Sequence, residues 1–335
     1  MKTEFDSLCR RFISDNNLQF QFVDYNHFNY CINLFGKKDD WNALLEIIKE
    51  RFDNNPNKFL DEYYQLRDKI ITDFLDKKEY KFFNEEMNLN DFALDKDSRN
   101  ITSNNIYNRE NLGKTFLSID LKKANFQTMK HISSSMVNNR ATYEDFIGDY
   151  TDLDYIKNSK YTRQVVFGKL NPKRQITCEK FFTNEIRKLI APEIYVMSGK
   201  IVSMSNDELV YEITTPEKIN DNLIQKLVEK IKSITDFTVH ADLFNLNGYE
   251  FQFMETGVCK FTFFEKAFSD GSKKLISVPM PFYKMVYKLM NNIPLEDEDY
   301  LFEYDKNVIC MFMEEFQIEK INKLKKEKNA VVLAH

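Results

Sequence analysis

Asp120 closes the apolar run Phe116-Leu117-Ser118-Ile119, and Asp207 and Glu208 follow Ser205-Asn206 between two short segments of strand-like alternation. The first pattern predicts a buried strand that delivers one carboxylate at its C-terminal end. The second predicts a tight hairpin with two adjacent carboxylates at its tip. Hard divalent cations take oxygen ligands, and two of them roughly 3.5–4 Å apart clamp the attacking and leaving oxygens of a phosphoryl transfer. The chemistry these residues point to is two-metal nucleotidyl transfer, with Asp120, Asp207 and Glu208 as catalytic groups and as ligands of Mg²⁺ or Mn²⁺. Each also has a plainer use. Asp after a hydrophobic strand is a common helix N-cap, and Asn-Asp is ordinary turn chemistry.

Such a site must handle phosphate, and cations are clustered in one part of the chain. Net charge is −5, yet residues 155–190 carry nine Lys or Arg against two Glu. Basic stretches of this kind are candidate phosphate-contacting surfaces, although solvated helix faces are Lys-rich too. Within it, Arg163, Lys169, Lys173 and Arg174 are the candidate nucleotide- and phosphate-binding residues. Lys173 and Arg174 fall in the first turn of a helix, where they oppose its dipole.

The elements that must position these groups are legible from period and punctuation. Residues 1–105 read as helical, with apolar residues at helical spacing in 41–48 and 59–74. The polar segment Asp95–Asn105 reads as a linker. After the Asp120 strand, 121–130 reads as a turn into a helix. Asn171-Pro172 opens a helix that Pro192 stops, and Thr215-Pro216 opens another with Ile219, Leu223, Leu227, Ile231 and Ile234 on one stripe. Between them, 200–205 and 208–213 form the hairpin. Segments 237–246, 249–254 and 260–264 read as a small antiparallel meander, in which Phe261, Phe263, Phe264 and Phe268 are core rather than a base-stacking platform. From Pro281 the chain turns helical, and Lys320–Lys328 reads as a solvated basic helix end.

The fold class expected is α+β: a helical N-terminal region (1–105), an antiparallel palm-like sheet with flanking helices (106–236, with a basic helical insert at 155–191), and a mixed C-terminal region (237–335). Ser118-Ile119-Asp120, Asn206-Asp207-Glu208 and the basic segment from Arg163 to Lys169 resemble, in that order, motifs A, C and B of the right-hand polymerases. The resemblance is greatest to family A and the single-subunit phage-type enzymes, in a compact viral or phage form, and covers about residues 106–235. It implies a palm that adds nucleotides to a nucleic-acid primer, with nucleic acid and nucleoside triphosphates as partners. By the same resemblance Asn125, five residues past Asp120, falls where the group facing the sugar 2′ position stands. Several features depart from the family. Asn206 replaces its His, the acidic motifs are only 87 residues apart, and the motif B cations do not keep its spacing. A catalytically silent nucleic-acid-binding palm, a metal-dependent nuclease and a structural or host-interaction protein remain open as readings.

Composition narrows the field. With 8 Gly in 335 residues, and no GxGxxG or GxxxxGK[ST], dinucleotide and P-loop folds are not expected. Five scattered Cys and four His make a zinc site improbable and fit free thiols in a reducing compartment. The polar N-terminus and the lack of an 18-residue apolar run predict no signal peptide, no membrane span and a cytoplasmic protein.

Overall fold

The computed structural model describes residues 4–103, 106–253, 259–304, 307–310 and 330–332. Four helices open the chain: α1 (Glu4–Asp15), α2 (Tyr25–Leu34), α3 (Lys38–Arg51) and α4 (Pro56–Asp76). α4 starts where Pro56 sits in its first turn and Asn55 caps the amides of Asn57 and Lys58. Buried residues of this region, Leu8 through Phe83, form one apolar cluster with buried residues from Phe126 to Cys178. The N-terminal helices thus share a core with the segment that follows Asp120.

The sheet begins with β1 (Thr115–Leu121), after which the chain runs through α5 (Ala124–Ile132), α6 (Lys160–Lys169) and α7 (Pro172–Leu189). β2 (Gly199–Met204) and β3 (Glu208–Ile213) form the hairpin, followed by α8 (Asp221–Thr235) and β4 (Val239–Phe253). β5 (Cys259–Phe268) and β6 (Lys273–Ile276) extend the sheet, whose order is β2-β3-β1-β4-β5-β6 with every pairing antiparallel. The first four strands and the helices between them make a β-α-β-β-α-β unit. The protein is α+β, as the sequence pattern indicates.

Alternation along β1 decides which face is which. Leu117, Ile119 and Leu121 share an apolar cluster with Ile186 of α7 and Leu227 and Ile231 of α8, so the helices cover that face. Ser118 and Asp120 point to the other face, which the helices leave open. Deeper along that open face, Phe116, Val210, Phe244, Leu246 and Phe264 form a smaller core of their own.

Several boundaries differ from the sequence pattern. Pro216 opens only a 3₁₀ turn (Pro216–Lys218), and α8 starts later, capped by Asn220 on the Leu223 amide. Ile234 is 60% exposed rather than part of the buried stripe, because the stripe turns away from the sheet near the helix end. Pro192 does not merely stop α7; it sits in the first turn of a further short helix, Ala191–Val196. β4 runs unbroken through Asn247-Gly248, where a meander turn was expected. Among its described residues the C-terminal part is helical over 3₁₀ turns at Met280–Phe282 and Asp297–Tyr300 and over α9 (Tyr283–Met290), and it forms a three-stranded sheet of β7 (Leu301–Tyr304), β8 (Asn307–Cys310) and β9 (Ala330–Val332). The basic segment Lys320–Lys328 lies outside the described residues. No helix among the described residues is long and apolar enough to cross a membrane.

Candidate functional site

Register brings the acidic residues together. Asp120 stands directly opposite Glu208 on β3 and opposite His240 on β4, and the Leu121 amide donates to the Asp207 carbonyl at 2.8 Å. Directly opposed residues on one face have Cβ atoms about 4.5–5.5 Å apart. Asp120, Asp207 and Glu208, 87 and 88 positions apart in sequence, therefore line one cavity of about 520 Å³ on the open face.

Ser205 and α7 hold the hairpin tip. Ser205 Oγ accepts from the Asp207 and Glu208 amides at 3.2 and 2.9 Å, and donates to Asp207 Oδ1 at 2.9 Å. From α7, Glu179 Oε2 accepts the Asn206 Nδ2 proton at 2.7 Å, and Thr183 Oγ1 donates to the Asn206 carbonyl at 2.7 Å. Burial pushes the Glu179 carboxyl up, partly offset by the Asn206 hydrogen bond. Asp120 is not a helix cap: the residue at the α5 N-cap is Lys123, in a left-handed conformation (φ 53°).

The Asp120 carboxylate takes no hydrogen bond from the described residues. Asp120 is solvent-exposed in the cavity wall, while protein atoms surround much of its carboxyl at longer range. That crowding, followed by the charges of Asp207 and Glu208, pushes its carboxyl up to about 7, against the pull of Lys274 and Lys266. Glu208 is more firmly engaged. Its Oε1 accepts from Ser118 Oγ at 2.5 Å and lies 3.4 Å from Lys266 Nζ.

Among the described residues, no group of three or more His, Cys, Asp or Glu is drawn together closely enough to hold a metal ion. The donor set is nevertheless right in kind for Mg²⁺ or Mn²⁺: three carboxylates, hard oxygen ligands, share one wall. Asp120 takes no hydrogen bond from the described residues, and Asp207 and Glu208 stand beside it as the second and third causes of its raised pKa, after desolvation.

Of the other expected residues, Arg163 and Asn125 line the cavity, joined there by Lys160, Lys123 and Gln164. Arg163 Nε is buried without a hydrogen-bond partner, and burial lowers the pKa of this guanidinium. Asn125 Oδ1 accepts from the Phe126 amide at 2.8 Å. Lys169, Lys173 and Arg174 do not line the cavity. Helical periodicity turns Lys169 and Lys173 to solvent, and the Arg174 guanidinium donates to the Met87 carbonyl.

Lys266, Lys274, His240, Asp242, Glu179 and Tyr107 also line the cavity and carry no motif that marks them in sequence. His240 Nε2 lies 2.9 Å from Asp242 Oδ2. For the four on strands the sequence signal is alternation alone: once β4, β5 and β6 are in register, His240, Asp242, Lys266 and Lys274 fall on the Asp120 face.

Comparison with protein-family models, curated proteins and solved structures finds no match to this chain.

Proposed function

We propose that this protein is a metal-dependent nucleotidyltransferase that adds nucleotides to a nucleic-acid primer in the manner of the palm polymerases it resembles. The observation that carries this reading is the single cavity that combines Asp120, Asp207 and Glu208 on adjoining strands with Lys160 and Arg163 from α6. Asp120 and Asp207 would hold the cations, and Glu208 would join them on giving up its Ser118 and Lys266 partners. When bound, two Mg²⁺ or Mn²⁺ lower the pKa of a primer 3′-hydroxyl and stabilise charge on departing pyrophosphate. Arg163, with a planar donor fork and an unpartnered Nε, grips the triphosphate, assisted by Lys160. Asn125, which lines the cavity, has by the same resemblance the role of facing the sugar of the incoming nucleotide.

The test is incubation with a labelled primer, with and without template, in Mg²⁺ or Mn²⁺ with each nucleoside triphosphate. The reading expects lengthened primer, lost in Asp207→Asn with nucleic-acid binding intact. Shortened primer would instead identify a nuclease using the same metals. One observation favours a second reading, a catalytically silent nucleic-acid-binding palm: Lys266 already supplies Glu208 with a positive charge. That reading predicts unchanged primer together with tight oligonucleotide binding.

A further inference from the structure

Lys266 on β5 and Lys274 on β6 stand directly opposite each other on the cavity face of the sheet. Like charges in that position repel and weaken strand pairing. Lys266 is only partly compensated, and Lys274 faces solvent. The Lys266 side chain is 8% exposed, and its carboxylate partner Glu208 comes no nearer than 3.4 Å. Its ammonium rests 4.4 Å from the centre of the Phe244 ring, which holds it in the cavity instead of letting it reach water. Lys274 has no ion-pair partner among the described residues. Both borders of this pair are informative: the carboxylate wall lies on one side, and Tyr107, Phe268 and Ile276 complete the lining.

Strand spacing sets the scale. Adjacent strands lie about 4.8 Å apart and register sets Lys266 six positions along β4 from the residue opposite Asp120, but its ammonium reaches back to 3.4 Å from Glu208, itself opposite Asp120. A group held between the two ammoniums is therefore within a nucleotide or two of Asp120. The triphosphate already has Arg163 and Lys160, on a different element.

Resting on the nucleotidyl-transfer reading, we infer that Lys266 and Lys274 form a second anion subsite that holds a backbone phosphodiester of the acceptor strand near its 3′ end. The pair thereby fixes the strand's register over the carboxylates, and the anion offsets the repulsion between the two lysines.

The experiment uses the full chain and a fluorescent single-stranded oligonucleotide, with one uncharged methylphosphonate walked through its last three linkages. Lys274→Gln, on an exposed edge strand, should weaken binding of the natural oligonucleotide roughly fivefold, the scale of one exposed charge contact. It should also reduce the slope of log affinity against log salt by about 0.7. At one linkage, the methylphosphonate should cost the wild type a similar factor and cost Lys274→Gln nothing further. Lys266→Arg should retain that sensitivity and Lys266→Met should lose it, with circular dichroism confirming that each variant is folded. Equal methylphosphonate penalties in wild type and Lys274→Gln overturn the subsite. So does a loss confined to binding of a non-hydrolysable nucleoside triphosphate, which would assign the lysines to the nucleotide. A wild type that binds no oligonucleotide overturns both the subsite and the nucleotidyl-transfer reading, so the two failures are told apart.

Discussion

Cation binding should carry the signature of Asp120. Its carboxyl, raised to about 7 by crowding and by its two acidic neighbours, must lose a proton before it can ligate. Its ionised fraction rises between pH 6 and 8, so apparent affinity for Mn²⁺ should rise across that interval, by up to about tenfold, and level off above it. The assay is titration of the protein with Mn²⁺, with free ion read by electron paramagnetic resonance. Asp120→Asn should bind more weakly and with a flat profile. Because crowding outranks charge among the causes, Asp207→Asn should move the midpoint down only part of the way. Histidine side chains change charge in the same range, and His240 borders the cavity, so the profile must persist in His240→Gln. Affinity independent of pH between 6 and 8, or an unchanged profile in Asp120→Asn, would refute the reasoning.

The same shift has a consequence for stability. An acid whose folded pKa exceeds its unfolded value penalises the folded state increasingly as pH rises from about 4 to 7, and the penalty then stays constant. Asp120→Asn should therefore raise the melting temperature at pH 8 and change it little at pH 4; the reverse order would contradict the charge picture. Arg163→Ala should weaken nucleoside triphosphate binding well beyond Lys173→Ala, since only Arg163 lines the cavity, and equal losses in a binding titration would count against that assignment. Asn125→Phe should tighten rejection of ribonucleotides in single-nucleotide incorporation, an effect absent if Asn125 does not face the sugar. Far from the site, Asp299→Asn breaks a buried pair, Lys288 Nζ to Asp299 Oδ2 at 2.9 Å, that ties α9 to Tyr30 of α2. With Glu296 Oε1 still 3.0 Å from Lys288 Nζ, it should cost about 1–3 kcal/mol in urea unfolding, and a neutral result would mean the pair is replaceable.

Much of the acidic wall was legible because each part has a strong local signal. An apolar run ending in Asp120 and a polar tip between alternating segments both name their own structure, and Asn171-Pro172 names a helix start. The basic wall was not, for two reasons. A charge-rich stretch such as 155–190 reads as one surface, whereas helical periodicity sends Arg163 inward, Lys169 outward and Arg174 to a backbone carbonyl. Asn247-Gly248 also carries the signal of a turn, yet the strand continues there, paired with Glu265 and Phe264 of β5, and the glycine serves a close approach instead: a Cβ at Gly248 would meet Leu112 Cδ2 at 2.5 Å. Reading a break at that point hides the register that carries Lys266 and Lys274 to the site. The shared core of the N-terminal helices and residues 126–178 rests on contacts distant in sequence, for which local pattern holds no signal.

The most direct measurement is anomalous scattering from crystals grown with Mn²⁺ and a non-hydrolysable nucleoside triphosphate. Two manganese peaks roughly 3.5–4 Å apart, bridged by Asp120 and Asp207 with the triphosphate reaching Arg163, are the result predicted. Manganese bound elsewhere, with Glu208 still held by Lys266 and Ser118, would contradict the account.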